Sequence, residues 1–383
     1  MAPSIIAKDG LVSSGVRVKT SGQLEPEYSL LGSYEDFPKR IEGLTVWKAE
    51  DYRENPEKWT HVWNNEEVEE IEAATDGFLN AGYNLTDITK ELFHLPKLAS
   101  FLESVRQDLL YGKGFILFKG FPVGRWGNKK SAAAYMGIGT YLGYFVSQNS
   151  RGHVLGHVKD LGDDASQIDK VRIYRTNARQ FFHSDDSDLV GLLCMASALE
   201  GGESDLISSH HVFNVLQEER PDVVETLSKP IWYFDRKGET SKGQKEWIRA
   251  SVFYWYNGRV YTKWDPYYVR SLTRFSDKGL VPPLSDAQIE ALDILEDTCL
   301  RLSLHMILEV GDIQFLSNNH VLHARTAYID NPPPAARRHL MRLWLSVPET
   351  EGGWKLPFAD SKDLKRGGIQ VDDTTENAPL DAE

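Results

Sequence analysis

The triplet His183-Ser184-Asp185, within RQFFHSDDSD, brings together residue types that bind metals. In an extended chain, residues i and i+2 point to the same face, about 7 Å apart at their Cα atoms. An imidazole nitrogen and a carboxylate oxygen on that face can converge on one metal ion. The alternative is an Asp-rich surface turn. Far downstream, GDIQFLSNNHVLHARTAYID adds His320 and His323. Two histidines and one carboxylate on one face of a metal leave three positions open, the arrangement of non-haem Fe(II) sites that take a bidentate co-substrate and O2. A structural zinc site would be closed.

The run RRHLMRLWLSV follows the second histidine segment. Read as a strand, it places Arg338, Leu340, Arg342 and Trp344 on one face and His339, Met341, Leu343 and Leu345 on the other. Two arginines on a face otherwise built from Leu and Trp need anions, because an unpaired buried charge is costly. A guanidinium pairs with a carboxylate through two parallel hydrogen bonds. The alternative is an amphipathic edge strand with solvated arginines.

The elements that must position these groups are helices first and strands later. Val68, Ile71, Ala74 and Phe78 recur at helical spacing behind an acidic first turn. Residues 98–112 read as a second amphipathic helix, 114–122 as a strand stopped by Pro122, and 131–143 as a third helix. From about residue 153, short segments rich in β-branched and aromatic residues follow: VRIYRTN, DLVGLLCMASAL, SDLIS, PIWYFD, SVFYWYN and RVYTKW. NGR at 257–259 reads as a hairpin turn, and Ser285 with Gln288 as a capping box opening a helix to about His305. GDIQFL and RHLMRLWLSV return to strand. This order predicts an α+β, mainly β chain: a jelly roll with flanking helices. It predicts a flexible arm over 1–35, a single domain over 36–350 and a polar tail over 351–383. Neither GxGxxG nor GxxxxGK[ST] occurs, so a dinucleotide or P-loop site lacks its backbone device. A serine hydrolase is poorly supported without a GxSxG elbow.

The 383 residues carry 43 Lys plus Arg against 56 Asp plus Glu, a formal charge of −13. That balance disfavours a nucleic-acid or anionic-membrane surface, each of which needs clustered cations. Apolar residues at 41% suffice for a large core. The two cysteines, Cys194 and Cys299, form neither a CxxC pair nor a disulfide framework. No apolar run reaches the length of a membrane span, and the first residues lack the pattern of a secretory signal. A cytoplasmic protein is expected, with a homodimer left open.

His183-x-Asp185, GGES at 201–204, GD…NNHVLHARTAY over 311–328 and Arg338-x-x-x-Arg342 together resemble the TauD/TfdA group of Fe(II)- and 2-oxoglutarate-dependent oxygenases, which have a double-stranded β-helix (cupin-like) fold. FPKRIEGLTVW, FHLP, GKGFILFKGFPV and SQNSRGHV are similar to its fungal, clavaminate synthase-like branch. The likeness spans roughly residues 37–350. It implies that His183, Asp185 and His323 are the iron ligands, His323 being preferred to His320 because it heads an H-x-R-x-x-[FY]-like segment. It implies that Arg338 pairs with the distal carboxylate of 2-oxoglutarate. Ser204, where the family usually has Thr, assists, and Arg342 faces either the co-substrate or an anionic substrate group. Gln148 and Asn149 either line the substrate pocket or hold a loop; Tyr174, Asn177 and Phe182 lie on a segment that could face the iron. The aromatics at 253–256 are expected in the core, and His153 and His157 as buried, hydrogen-bonded histidines. The implied activity is oxidation of a C–H bond of a small molecule, by hydroxylation, desaturation or cyclisation, with release of succinate and CO2. An amino acid, a sulfonate, another small acid or a fungal specialised metabolite would be the substrate. A β-helix protein that binds a metal or small acid without turnover is the alternative.

Overall fold

A computed structural model describes residues 24–372 and 374–382. Most of the expected N-terminal arm, residues 1–23, lies outside the described residues. Two sheets face each other. The larger runs in the order Thr60–Val62, Phe115–Lys119, Ile313–Ser317, Leu189–Ala196, His339–Ser346 and Tyr144–Phe145, with Leu155–Val158 also paired to His339–Ser346. Its first pair is parallel and the rest are antiparallel. The smaller is antiparallel throughout: Leu304–Met306, Ser204–Ser208, Val321–Arg325 and Gln180–His183.

Side-chain alternation divides the apolar residues into three layers. Val190, Leu192, Leu316, Leu340 and Trp344 of the large sheet meet Leu206, Leu304, Met306 and Val321 of the small one in a shared core. The outer face of the large sheet, with Leu193, Phe315, Met341 and Leu343, is covered by the helices Asn65–Asn80, Ala99–Tyr111 and Val123–Gly139. The outer face of the small sheet, with Phe182, Ile207, Leu322 and Ala324, is covered by Ser209–Glu219, Pro221–Ser228 and Asp286–Leu302. This is the double-stranded β-helix expected from the sequence, an open sandwich with helices on both outer faces.

The helices start where their caps dictate. Asn64 accepts from Glu67 N at 3.0 Å while the Glu67 carboxylate accepts from Asn64 N at 2.9 Å. Ser285 and Gln288 form the capping box read from the sequence. The helix expected over 131–143 begins earlier, at Val123, because Gly127 at φ 69° joins two helical segments across a kink. At the 257–259 turn, Asn257 and Gly258 both take positive φ and close the hairpin Phe253–Tyr256 to Arg259–Thr262. Phe253 and Tyr254 are in the core; Trp255 and Tyr256 are half-buried.

Two readings are corrected. VRIYRTN is not a strand: only the single 3-10 turn Ile173–Arg175 forms, and the segment is held by Lys159 N to Tyr174 O and Leu161 N to Arg175 O along the rim of the sandwich. Residues 351–383 are not a surface tail. Trp354 and Ile369 are buried, Ile369 N donates to Ser147 O, and Val154 N donates to Asn377 O. Arg366 grips Asp188 through two hydrogen bonds of 2.6 and 2.8 Å, both side chains buried. Composition registered the polar residues of this segment but not the buried partners that tie several of them down. Among the described residues, no helix is long and apolar enough to cross a membrane.

Candidate active site

On the strand Val321–Arg325, alternation sends Leu322 and Ala324 outward and leaves His323 and Arg325 facing the sandwich interior. His323 is the direct cross-strand partner of His183, their rings 4.1 Å apart. The register then shifts, so that Arg325 lies opposite Gln180. Such a bulge places two residues three apart on the same face. It brings Gln180 inward beside His183 while Phe182 points into the outer core, fully buried. Phe182 is therefore a packing residue and not part of the pocket. Asp185 follows the strand in a turn pinned to Asn318 and Trp264 by three hydrogen bonds. Asp185 N donates to Asn318 Oδ1, Ser184 N donates to Trp264 O, and Trp264 N donates to Ser184 Oγ.

One nitrogen or oxygen each from His183, Asp185 and His323 lie within 4.8 Å of one another, and no other such cluster occurs among the described residues. His183 Nδ1 donates to Phe181 O at 2.9 Å, so its Nε2 keeps a lone pair, which takes a hydrogen bond from the Gln180 amide at 2.9 Å. Asp185 Oδ2 and His323 Nδ1 are buried without hydrogen-bond partners. Burial, reinforced by neighbouring His183, pulls His323 down to about 3, so its ring is neutral near pH 7. Burial pushes the Asp185 carboxyl up, but the Arg342 guanidinium, aided by His323 and His183, outweighs it and holds the group below the usual carboxylate range. A neutral imidazole and an ionised carboxylate are the forms that bind a divalent metal. Buried, unsatisfied donor atoms of this kind fit an ion better than they fit an empty core.

A cavity opens from the two histidines toward Ser204, Arg325 and Arg338, walled by Leu192 and Leu340. Arg338 donates from Nη2 to Gly202 O at 2.9 Å; its Nη1 is buried with no partner. Gly202 sits at φ 77°, and a Cβ there would fall 2.6 Å from Arg338 Nε, which explains a glycine in GGES. Ser204 Oγ contacts the Gln314 side-chain amide at 3.3 Å. Arg325 also leaves Nε and Nη1 unpartnered, and the two guanidiniums flank the Tyr328 ring at 4.9 and 5.0 Å. Burial, then the Arg338 charge, pull Arg325 down to about 10. The end of the cavity is thus a buried cationic hole shaped for an anion.

On the other side of Asp185 a second cavity is lined by Gln148, Arg172, Tyr174, Arg342 and Trp344. Gln148 has two roles here. It lines this cavity, and it fixes Arg342 by accepting from Nε at 2.8 Å and donating to Arg342 O at 2.8 Å. Arg342 Nη1 reaches Asp185 Oδ1 at 3.3 Å, and its guanidinium lies 4.9 Å from the Tyr174 and Trp344 ring centres. Asn149 lines the outer part of the space and also holds its loop, its Oδ1 accepting from Arg151 N. Asn177 donates no side-chain bond in the site; its carbonyl accepts from Tyr328 N. His320 is buried elsewhere, stacked on Trp354 at 5.4 Å. His157 bonds His339 at 2.7 Å, so it is a structural histidine. Gln180, Asn318 and Arg325 complete the site beyond the residues first singled out. Asn318 and Arg325 were visible in NNHVLHAR; Gln180 was hidden by the bulge, which breaks the period of two.

The family model described as "Taurine catabolism dioxygenase TauD, TfdA family" matches residues 81–344. The chain is 28% identical over 330 residues to "FR-33289 synthase" of Streptomyces rubellomurinus, covering 84% of this chain and 94% of that protein. It is 30% identical over 306 residues to "Taurine hydroxylase-like protein SAT17" of Stachybotrys chartarum, covering 78% of each. In structure it resembles asparagine oxygenase, with a TM-score of 0.60 at 16% identity over 84% of this chain and 100% of that one. It also resembles the non-haem iron oxygenase OrfP solved with Fe, succinate and (3S)-hydroxy-L-Arg, with a TM-score of 0.56 at 14% identity over 75% of this chain and 94% of that one. The chain belongs to the TauD/TfdA family of Fe(II)- and 2-oxoglutarate-dependent dioxygenases, enzymes that oxidise small molecules.

Proposed function

We propose that His183, Asp185 and His323 hold the iron, and that Arg338 and Ser204 bind the distal carboxylate of 2-oxoglutarate. The observation that carries this reading is the coincidence of the only His/Asp/His cluster among the described residues with a cavity ending at an unpartnered buried guanidinium. With Fe(II), 2-oxoglutarate and O2 bound, the chemistry supplied is oxidation of a substrate C–H bond coupled to decarboxylation of the co-substrate to succinate and CO2. Asp185 is kept ionised by Arg342 and aimed by Asn318. His183 is turned by the Phe181 carbonyl. Leu192 and Leu340 keep water from the co-substrate cavity. Arg338 fixes the co-substrate's direction, so that its keto acid end meets the triad.

The substrate binds in the cavity lined by Gln148, Tyr174, Arg342 and Trp344. Its cationic walls favour a small acid or zwitterion. Solved structures of the same fold contain hydroxyasparagine and hydroxyarginine, which supports a molecule of amino-acid size. The fungal relative supports a place in specialised metabolism. Both cysteines are free and buried, in keeping with a reducing cytoplasm. The test is metal content and substrate-dependent succinate formation of Asp185→Ala and His323→Ala. Both variants lose iron and turnover while staying folded; full turnover in either overturns the ligand assignment.

A further inference from the structure

The turn after the strand Trp232–Asp235 delivers a lysine to the substrate cavity. Asp235 is buried and binds Arg274 at 2.7 and 3.1 Å, Ser271 Oγ at 2.8 Å and the backbone N–H of Lys237 at 2.7 Å. That last bond holds Lys237 at φ 54°, in the left-handed region. Asn257, the other non-glycine residue in this region among those described, sits in a hairpin turn that demands it. Lys237 is placed in the same way: with Gly238, also at positive φ, it forms the centre of a tight turn closed by Glu239 N donating to Arg236 O at 3.0 Å. The turn and the engaged Asp235 carboxylate together fix where the Lys237 side chain leaves the backbone.

The Lys237 side chain enters the cavity that Asp185, Arg172, Tyr174 and Arg342 also line. Its ammonium group donates to the Ile168 carbonyl and pairs with no carboxylate among the described residues. The acids nearby are engaged elsewhere. Glu239 binds Arg172 and Ser150 N, Asp265 caps a helix through Tyr267 N and Tyr268 N, and Asp185 meets Arg342. Burial pulls Lys237 down to about 8, against the opposing pull of Asp235. The cavity continues outward past Arg151, Lys159 and Arg175, where Glu239 is the one acid among the described lining residues. A cation is therefore placed in the compartment beside the triad without a direct ion pair, Asp235 and Asp265 acting on it only through the space between them.

We propose that Lys237 is the substrate-selecting residue of this enzyme, binding an acidic group of the substrate (carboxylate, sulfonate or phosphonate) with Arg172 alongside. This rests on the reading of the cavity as the substrate's. It goes beyond that reading by naming the group recognised and the residue that recognises it. A buried cation met by an anion loses far more when truncated than an exposed one does.

The test uses holoenzyme with Fe(II) and saturating 2-oxoglutarate under argon, so that the Arg338 cavity is filled. Butyrate, propane-1-sulfonate, propylphosphonate and neutral butanamide are titrated by calorimetry. At least one acid binds, and which one binds tightest identifies the group. Its affinity falls about tenfold or more in Lys237→Met and stays within about threefold in Lys237→Arg, while butanamide does not distinguish the variants. In the unmodified enzyme, the bound acid slows acetylation of Lys237 measured on the peptide by mass spectrometry, a readout that survives misfolding of a variant. Equal acid affinity in Lys237→Met, displacement of the acid by more 2-oxoglutarate, or unprotected Lys237 overturns the proposal. Retained iron in Asp185→Ala would instead overturn the ligand assignment and leave these data untouched.

Discussion

Replacing Arg338 with Met probes the co-substrate cavity most directly. The substitution keeps a long, flexible apolar side chain and removes the guanidinium. In the native protein, Arg338 Nη1 is buried and unpartnered, and the group has one internal acceptor, Gly202 O. A carboxylate arriving there gains a charge-assisted bond of about 1.5–3 kcal/mol and relieves an uncompensated charge. Roughly 2–4 kcal/mol of binding should therefore disappear, a factor of about 30 to 1000. Arg325 remains in the same cavity with Nε and Nη1 free, and takes part of the load. The lower end, about 30- to 100-fold in KM for 2-oxoglutarate, is expected. The stability of the ligand-free protein, in contrast, should change little. Arg325 and Arg338 repel across Tyr328, so losing one charge offsets the lost Gly202 bond and Tyr328 contact. Tm without ligand should change by no more than about 4 °C. At 100 times the native Kd, 2-oxoglutarate stabilises the native protein by about 2.7 kcal/mol and the variant by less than about 1 kcal/mol. Steady-state succinate formation and thermal shift measure both. A KM within about threefold of native, with an undiminished thermal shift, would refute the assignment of Arg338.

Two further outcomes concern stability. Burial lowers His210 to about 4, while its Nε2 donates to Val260 O at 2.7 Å and its Nδ1 faces Thr45 Oγ1 at 2.8 Å. The folded ring stays neutral where the unfolded one, near 6.5, takes a proton. Stability from this group is therefore full above about pH 6.5 and is lost as pH falls toward 4, at about 1.4 kcal/mol per unit. Urea unfolding at pH 7 and pH 5 should show a stability loss smaller by about 2 kcal/mol in His210→Gln than in the native protein; an identical loss refutes the neutral-histidine reading. The buried pair Asp188–Arg366 ties the C-terminal segment to the turn after His183-Ser184-Asp185. Arg366→Met leaves Asp188 uncompensated and should cost about 3–5 kcal/mol, part of which Asp188→Asn restores in the double variant. Additive losses in the double-mutant cycle would show that the two residues are not coupled.

His183, Asp185 and His323 were legible because their types restrict the chemistry and because the HxD spacing is local. Arg338, Leu340, Arg342 and Trp344 were legible as one face because a strand has a period of two, and the buried alternation of His339–Ser346 follows it. The helix starts were legible because capping boxes are contained within four residues. Phe182 was misplaced because, as the neighbour of His183 on the strand, it takes the opposite, outer face; the bulge opposite Arg325 instead turned Gln180 inward. The C-terminal segment was misplaced because its burial depends on Asp188 and Ser147, far away in sequence. Lys237 carried no signal at all: its neighbours in the chain say nothing of Asp185, and only folding sets them around one cavity. By itself, then, the sequence determined which groups can do chemistry and which faces they share, since residue type and periodicity are local properties. Only the tertiary structure decided which faces meet, because the pairing of His183 with His323, the cationic hole around Tyr328 and the lysine beside the triad are contacts between segments separated by many residues.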